Sequence, residues 1–419
     1  MVPERIARRL GAPVLIAVTV LLVASHCSAG GAAAPAAAGK RVTGTATGSA
    51  PAAPAITAST GQASSGVSNA PVEPRAATAL GGGVLFAGRT LVYATHGFSV
   101  AEVATLAGKV SGPVTAVFSS EQLVASGVSG FPDIAVDTLV ADPASYAAAA
   151  NVQTLAALLR QGLVLATDEA RLRHVGVGGS VTFTDGTSLP VSAVVDAHVI
   201  GGHEMATALG KRPLASGATA HYLLVGGPLS VARLTTVAHV AWPSRTIRVR
   251  ASTANGYMSG ADTVLTQLQS KLDFGEFSFR PAGTNAFVPD PAWINQHLVS
   301  RRVVQLGDVT CNAAIMSDLQ AAMKEVTARG LGSTINTADF QYEGGCWNPR
   351  TARVIAGGTL SSHSWGIAID INVANNPLGS PPQQDPRLVA IMAAHGFAWG
   401  GRFLRPDGAH FEWVGTIPH

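Results

Sequence analysis

An α+β fold is what this sequence predicts, and three observations predict it. Short runs of strand length alternate apolar and polar residues, as in Val181 and Phe183 followed by Val191, Ala193 and Val195. The run from Cys311 to Gly330 instead repeats apolar residues at helical spacing, with Ile315, Leu319, Met323 and Val326 on one face. Hydrophobic residues make up 47% of the 419 and charged residues only 13%, which supports buried cores under a sparsely charged surface. The expected layout is a mixed α+β domain over 76–280, then a separate domain over 285–419 built on a small antiparallel sheet with flanking helices.

Residues 1–29 read as an export signal or N-terminal anchor. Arg5, Arg8 and Arg9 precede "GAPVLIAVTVLLVAS", an apolar stretch of about fifteen residues, which is short for a spanning helix. Cys27 follows in "VASHCSAG". A cleaved signal, an uncleaved anchor and a lipid-modified Cys27 are the open readings, although His26 fits a lipid-attachment motif poorly. All three make the chain secreted or extracytoplasmic, the last two with a membrane tether. Residues 30–75 are mainly Ala, Pro, Gly, Ser and Thr with almost no large apolar side chain. Such a segment cannot repay its ordering entropy and reads as a disordered linker. The net charge of +3 is small and no Lys/Arg block occurs, so nucleic-acid binding by a basic face is not expected.

In the 76–280 region, "TLVYATHGFSV" and "GPVTAVFSS" read as strands. "DPASYAAAANVQTLAALLRQG" reads as a helix opened by Asp142 and Pro143. "GSVTFTDGTSLPVSAVVDAHV" is a hairpin turning at Asp185-Gly186. His198 and His203-Glu204 miss the HExxH spacing that places two imidazoles on one helix face. The glycines of "VGVGGS" precede a strand pair rather than a helix, so neither motif is given a metal or phosphate role. The run from Asp137 to Gly186 resembles the extracytoplasmic domains of ABC-type permeases such as MacB, which implies a spacer or interaction domain and a protein partner.

In the 285–419 region, Asn312 caps the helix that Gly330 ends. Cys311 and Cys346 are an even pair in an exported chain, most simply a disulfide. It would pin this helix start to the loop "EGGCWNPR".

Chemistry concentrates in "SSHSWGIAIDIN". From Gly366 the side chains alternate, with Ile367, Ile369 and Ile371 on one face and Ala368, Asp370 and Asn372 on the other. His363 lies in the turn entering this strand. A second short strand is expected at "AHFEWVG", with His410 and Glu412 on one face. If the two strands are neighbours, His363, Asp370 and His410 converge. Two imidazoles and a carboxylate are a usual catalytic zinc set, which leaves a fourth position open for water. Asp407, three residues before His410, is within reach as the base that takes a proton from that water.

The pattern Ser361-x-His363-x-x-Gly366-x-Ala368-x-Asp370, followed by Asp407-x-x-His410, resembles the VanY-like D-alanyl-D-alanine carboxypeptidases of the lysostaphin, D-Ala-D-Ala metallopeptidase and hedgehog group. "LSSHSWGIAIDIN", "WGGRF" and "HFEW" bring it nearest to the phage and Bacillus L-alanyl-D-glutamate endopeptidases. The resemblance implies Zn2+ on His363, Asp370 and His410, with Asp407 as general base where many relatives carry Glu. It implies an Arg that holds a substrate carboxylate; Arg350 matches best and Arg353 more loosely. Ser361 matches the family serine, a supporting hydrogen-bond donor. Glu412 is the candidate partner that orients an imidazole. Trp399 and Trp413 are assigned to groove or core, and His297, His395 and His419 have no pattern. The expected function is an exported zinc peptidase acting on peptidoglycan stem peptides at the cell wall, as carboxypeptidase or endopeptidase. The alternative is a non-catalytic wall-binding or regulatory protein on the same fold.

Overall fold

A computed structural model of the chain describes residues 78, 80, 84–214, 217–251, 264–283, 285–337, 345–351 and 359–415. The signal or anchor segment, the linker, Cys27, Arg353 and His419 lie outside the described residues. The fold is mixed α+β. In chain order the first elements are β1 (Arg89–Phe98), α1 (Val100–Ala107), β2 (Val114–Val128), β3 (Phe131–Ala141), α2 (Pro143–Ala150), α3 (Leu155–Gln161), β4 (Leu163–Ala166), α4 (Thr167–Leu172), β5 (Ser180–Thr182), β6 (Ser188–Val195), β7 (Met205–Ala208), β8 (Ala220–Gly226), α5 (Val231–Ala241), β9 (Ile247–Ala251) and α6 (Gln267–Phe274). After them come β10 (Phe279–Pro281), β11 (Phe287–Pro289), α7 (Pro291–His297), β12 (Leu298–Val303), β13 (Gly307–Asn312), α8 (Ala313–Ala328), β14 (Ala368–Asp370), α9 (Pro386–Ala394), β15 (Phe397–Trp399) and β16 (His410–Trp413). Among the described residues no helix is long and apolar enough to cross a membrane.

The large sheet runs β5–β6–β4–β7–β3–β2–β8–β1–β9, and β10 joins β3 with β11 beside it. Its pairs are antiparallel apart from β3–β7 and β4–β6. The hairpin expected around Asp185-Gly186 forms between β5 and β6, with Val181 opposite Leu189. The Thr187 amide donates to Asp185 Oδ1 at 2.9 Å and closes the turn. The helix expected from Asp142 onward is broken in two. Asp142 does cap it, accepting from the Ser145 amide at 2.8 Å, but Asn151 takes a left-handed backbone with φ 62° and stops α2. Asn tolerates that conformation because its short polar side chain bonds locally. The chain is thereby redirected, and Ala147 of α2 and Leu155 and Leu159 of α3 are all fully buried.

In the C-terminal part, α8 buries the face predicted for it, with Met316 and Ala322 added to Ile315, Leu319, Met323 and Val326. Asn312 caps it by accepting from the Ala314 amide at 3.1 Å. Against it lies a three-stranded antiparallel sheet in the order β14–β16–β15. Ala368 pairs with Glu412, Ile369 with Phe411 and Asp370 with His410. The apolar face of this sheet, with Ile369, Phe411, Phe397 and Trp413, joins α8 and α9 in one core.

The described residues form one compact unit. The segment just before 280 is tied into the 76–280 region and also crosses the boundary drawn from the sequence, where β10 pairs with β11. Phe279 of β10 pairs with Asp133 of β3. Arg173 forms an ion pair with Glu276. Lys271 of α6 is buried between Glu204 at 2.8 Å and Glu276 at 3.2 Å. Gln267 donates from Nε2 to Glu121 Oε1 and Glu204 Oε2, while its Oε1 accepts the Leu360 amide at 2.9 Å. That last bond moors the backbone just before Ser361 to α6.

Candidate metal centre

His363 sits in a 3-10 turn, Ser362–Trp365, that Gly366 ends with φ 68°. A side chain at 366 would be strained at that φ, and its Cβ would lie 2.9 Å from the Asn312 nitrogen. The Gly366 carbonyl accepts the Asn312 amide at 2.9 Å, which ties the turn to the start of α8. The chain then enters β14, which delivers Asp370 beside His410 of β16.

Three atoms meet there. His363 Nε2 is 3.2 Å from Asp370 Oδ1 and 3.3 Å from His410 Nδ1, and His410 Nδ1 is 3.2 Å from the same Asp370 oxygen. The outer ring atoms decide what these inner atoms carry. His363 Nδ1 lies 3.0 Å from the Cys346 carbonyl oxygen, which can only accept, so Nδ1 holds the proton and Nε2 presents a lone pair. His410 Nε2 lies 3.6 Å from Glu412 Oε2, a carboxylate oxygen, so its proton belongs on that side and Nδ1 presents a lone pair. Three lone pairs thus converge on one point, an arrangement that suits a cation. Ligand bonds of about 2.0–2.1 Å at tetrahedral angles place neighbouring ligand atoms about 3.3–3.4 Å apart, close to the spacing seen. Among the described residues, His363, Asp370 and His410 form the group of His, Cys, Asp or Glu arranged to hold a metal.

The electrostatics follow. Burial alone would raise Asp370, but His363 and His410 hold its carboxyl well below the usual carboxylate range. With no metal bound, burial would lower His410, but Asp370 and Glu412 push it up to about 10; the ring then carries a second proton, which a cation would displace from Nδ1 to free its lone pair. Asp407 is raised, chiefly by burial, and interacts electrostatically with His410, Asp370 and His363. Its place is set by backbone bonds: its amide donates to the Gly400 carbonyl at 3.0 Å, and its carbonyl accepts the His410 amide at 3.3 Å. Trp399 Nε1 donates to the Gly408 carbonyl at 2.9 Å and braces the same turn. A Cβ on Gly400 would fall 2.9 Å from the Asp407 carbonyl oxygen and 3.0 Å from His410 Cβ.

The other expected residues are placed as follows. Glu412 is fully buried, and its Oε1 accepts the Val264 and Leu265 amides at 3.2 and 3.0 Å. Cys311 and Cys346 form a disulfide. Arg350 is brought beside the His363 turn by its backbone: its carbonyl accepts the Ser361 amide at 3.0 Å and Ser364 Oγ at 2.9 Å. Its Nη1 donates to the Asn348 carbonyl at 3.2 Å. The Ser362 hydroxyl lies 3.5 Å from His410 Nε2. Trp413 is core and donates to Asp318 at 2.9 Å. His395 pairs with Glu325 at 2.8 Å and His297 stacks on Trp293. His203 and Glu204 hold buried polar pairs, His203 with Asp137 at 2.9 Å and Glu204 with Lys271. Sequence reasoning missed the Cys346 carbonyl and Gly400, because neither role is written in a side chain.

Residues 356–413 match the D-alanyl-D-alanine carboxypeptidase family. The match supports a peptidase, and it spans the two strands and the turn that bring the three donor atoms together. No curated protein matches the chain. Among solved structures, the chain is similar to the periplasmic region of MacB from Actinobacillus actinomycetemcomitans, at 13% identity and a TM-score of 0.29, covering 40% of this chain and 90% of that one. A domain of a permease protein from Porphyromonas gingivalis gives 11% identity and a TM-score of 0.26, covering 40% and 91%.

Proposed function

We propose that the chain is an exported zinc metallopeptidase that cleaves peptidoglycan stem peptides. The observation that carries this reading is the convergence of three lone-pair atoms, each 3.2–3.3 Å from the others, inside the matched segment. His363, Asp370 and His410 would hold the ion. When bound, it would supply Lewis-acid activation of the scissile amide carbonyl and of water. The protein's own groups do the rest. Asp407, kept basic by burial, takes the proton of water as its oxygen bonds to the carbonyl carbon. The same carboxyl then gives that proton to the amine nitrogen as the C–N bond breaks. Arg350, in the segment hydrogen-bonded to the His363 turn, is the candidate clamp for a free carboxylate of a stem peptide. The linker would let this site work at the wall away from a membrane tether, and the large sheet is a candidate surface for a protein partner.

The test combines metal content with peptide release. The chain from residue 76 onward is purified, its zinc measured, and the protein incubated with peptidoglycan and with free stem peptides, with and without a chelator. One zinc per chain with chelator-sensitive release is expected. Product masses separate loss of a terminal D-Ala from cleavage inside the stem. Zinc without release points to the non-catalytic alternative, and a chain that binds no zinc refutes the reading.

A further inference from the structure

We propose that the Cys311–Cys346 disulfide is a positioning element of the metal site: it holds the carbonyl that decides which nitrogen of His363 faces Asp370 and His410. This rests on the reading of the three residues as a zinc site. Histidines at metal centres often fix their tautomer through an acceptor on the far ring nitrogen, commonly a carboxylate or a carbonyl. Here the acceptor is the backbone oxygen of a half-cystine, 3.0 Å from His363 Nδ1. The opposite tautomer would direct an N–H at Asp370 and His410 and leave the cluster two lone pairs instead of three.

The bridge clamps the His363 turn from two sides. On the Cys346 side, Gly345 bridges to Asp370, the Trp347 amide donates to the Thr310 carbonyl at 3.1 Å, and the Asn348 amide donates to the His363 carbonyl at 3.0 Å. On the Cys311 side, the next residue, Asn312, donates its amide to Gly366 and its Nδ2 to the Trp365 carbonyl at 3.2 Å. Both half-cystines are fully buried. One covalent bond therefore joins the two backbone segments that grip the turn from Ser362 to Gly366. Metal affinity is in this way tied to the oxidation state of the pair. A dithiol, oxidised to its own disulfide, would deliver two electrons and two protons, return both cysteines to thiols and release the clamp. The site would be complete where disulfides persist.

The test uses the chain from residue 76 onward, with Zn2+ and Co2+ as probes. Zinc affinity is measured by competition with a chromogenic chelator, below the unfolding transition, for the parent, for Cys311→Ala with Cys346→Ala, and for Leu319→Ala as a destabilised control. The double variant is expected to bind zinc about 10–100-fold more weakly and to change the visible Co2+ spectrum, while the control keeps the parent's values. Parent-like affinity and spectrum in the double variant overturn the inference while leaving the zinc reading intact. A parent that binds no zinc overturns both. If the double variant does not fold, the parent alone decides. Nitrogen NMR of its zinc-loaded histidines should find the His363 proton on Nδ1, and a proton on Nε2 overturns the proposal.

Discussion

On the proposed mechanism Asp407 and His363 have different duties, and substitution separates them. Asp407→Ala should cut peptide release by about 10²–10⁴-fold with zinc content unchanged, because a proton carrier is removed and no donor atom is lost. His363→Ala should lose both. Near-normal turnover in Asp407→Ala would mean another group carries the proton. Gly400 has no chemistry of its own, yet it sits where Asp407 and His410 meet. Gly400→Ala puts a methyl 2.9 Å from the Asp407 carbonyl oxygen. One of the two backbones must shift, at a cost of about 1–3 kcal/mol. The expected outcome is a lower melting temperature together with slower turnover, and a variant that melts lower while keeping full turnover would show that the strain is absorbed away from the centre.

At the scale of elements, the centre needs two strands in one register and a turn that curls back. Alternation around Ile367, Ile369 and Ile371 made β14 legible, and His410 with Glu412 made β16 legible, so the meeting of His363, Asp370 and His410 could be read before any coordinates. The break at Asn151 could not, since alanines on both sides favour a continuous helix and one left-handed residue overrides them. The Cys346 carbonyl was equally invisible: any residue supplies a carbonyl, and only the fold says which one faces an imidazole. Below the sheet, α8 supplies the floor. Leu319→Ala removes a fully buried side chain and should cost about 2–5 kcal/mol in denaturant unfolding. Zinc affinity should hold in conditions where the variant is folded.

The whole molecule adds a pH dependence that the centre does not explain. Glu169 is buried, which pushes its carboxyl up to about 8 from 4.5 against the pull of Lys271 and Arg173. Between those pH values the folded chain keeps a proton that the unfolded chain has released. Stability therefore falls as pH rises through that window. Glu169→Gln takes this proton out of the balance, so its unfolding free energy should decline less from pH 5 to pH 8 than the parent's. An unchanged slope would assign the dependence to other groups such as Glu121, which burial also raises. The pairing of His203 with Asp137 and of Glu204 with Lys271 was not legible in the sequence, because residues so far apart in the chain meet only once the sheet and α6 are assembled.

The bonds from α6 and from Val264 and Leu265 bear on where the chain can be cut. Glu412 draws its buried hydrogen bonds from the amides of 264 and 265, and Leu360 draws its acceptor from Gln267. A fragment starting at 285 would keep the three donor residues and Asp407 yet strand a buried carboxylate next to His410. Such a minimal catalytic fragment should express poorly or bind zinc weakly beside the chain from 76 onward. Anyone trimming this protein to its apparent enzyme would discard part of what holds the enzyme's shape.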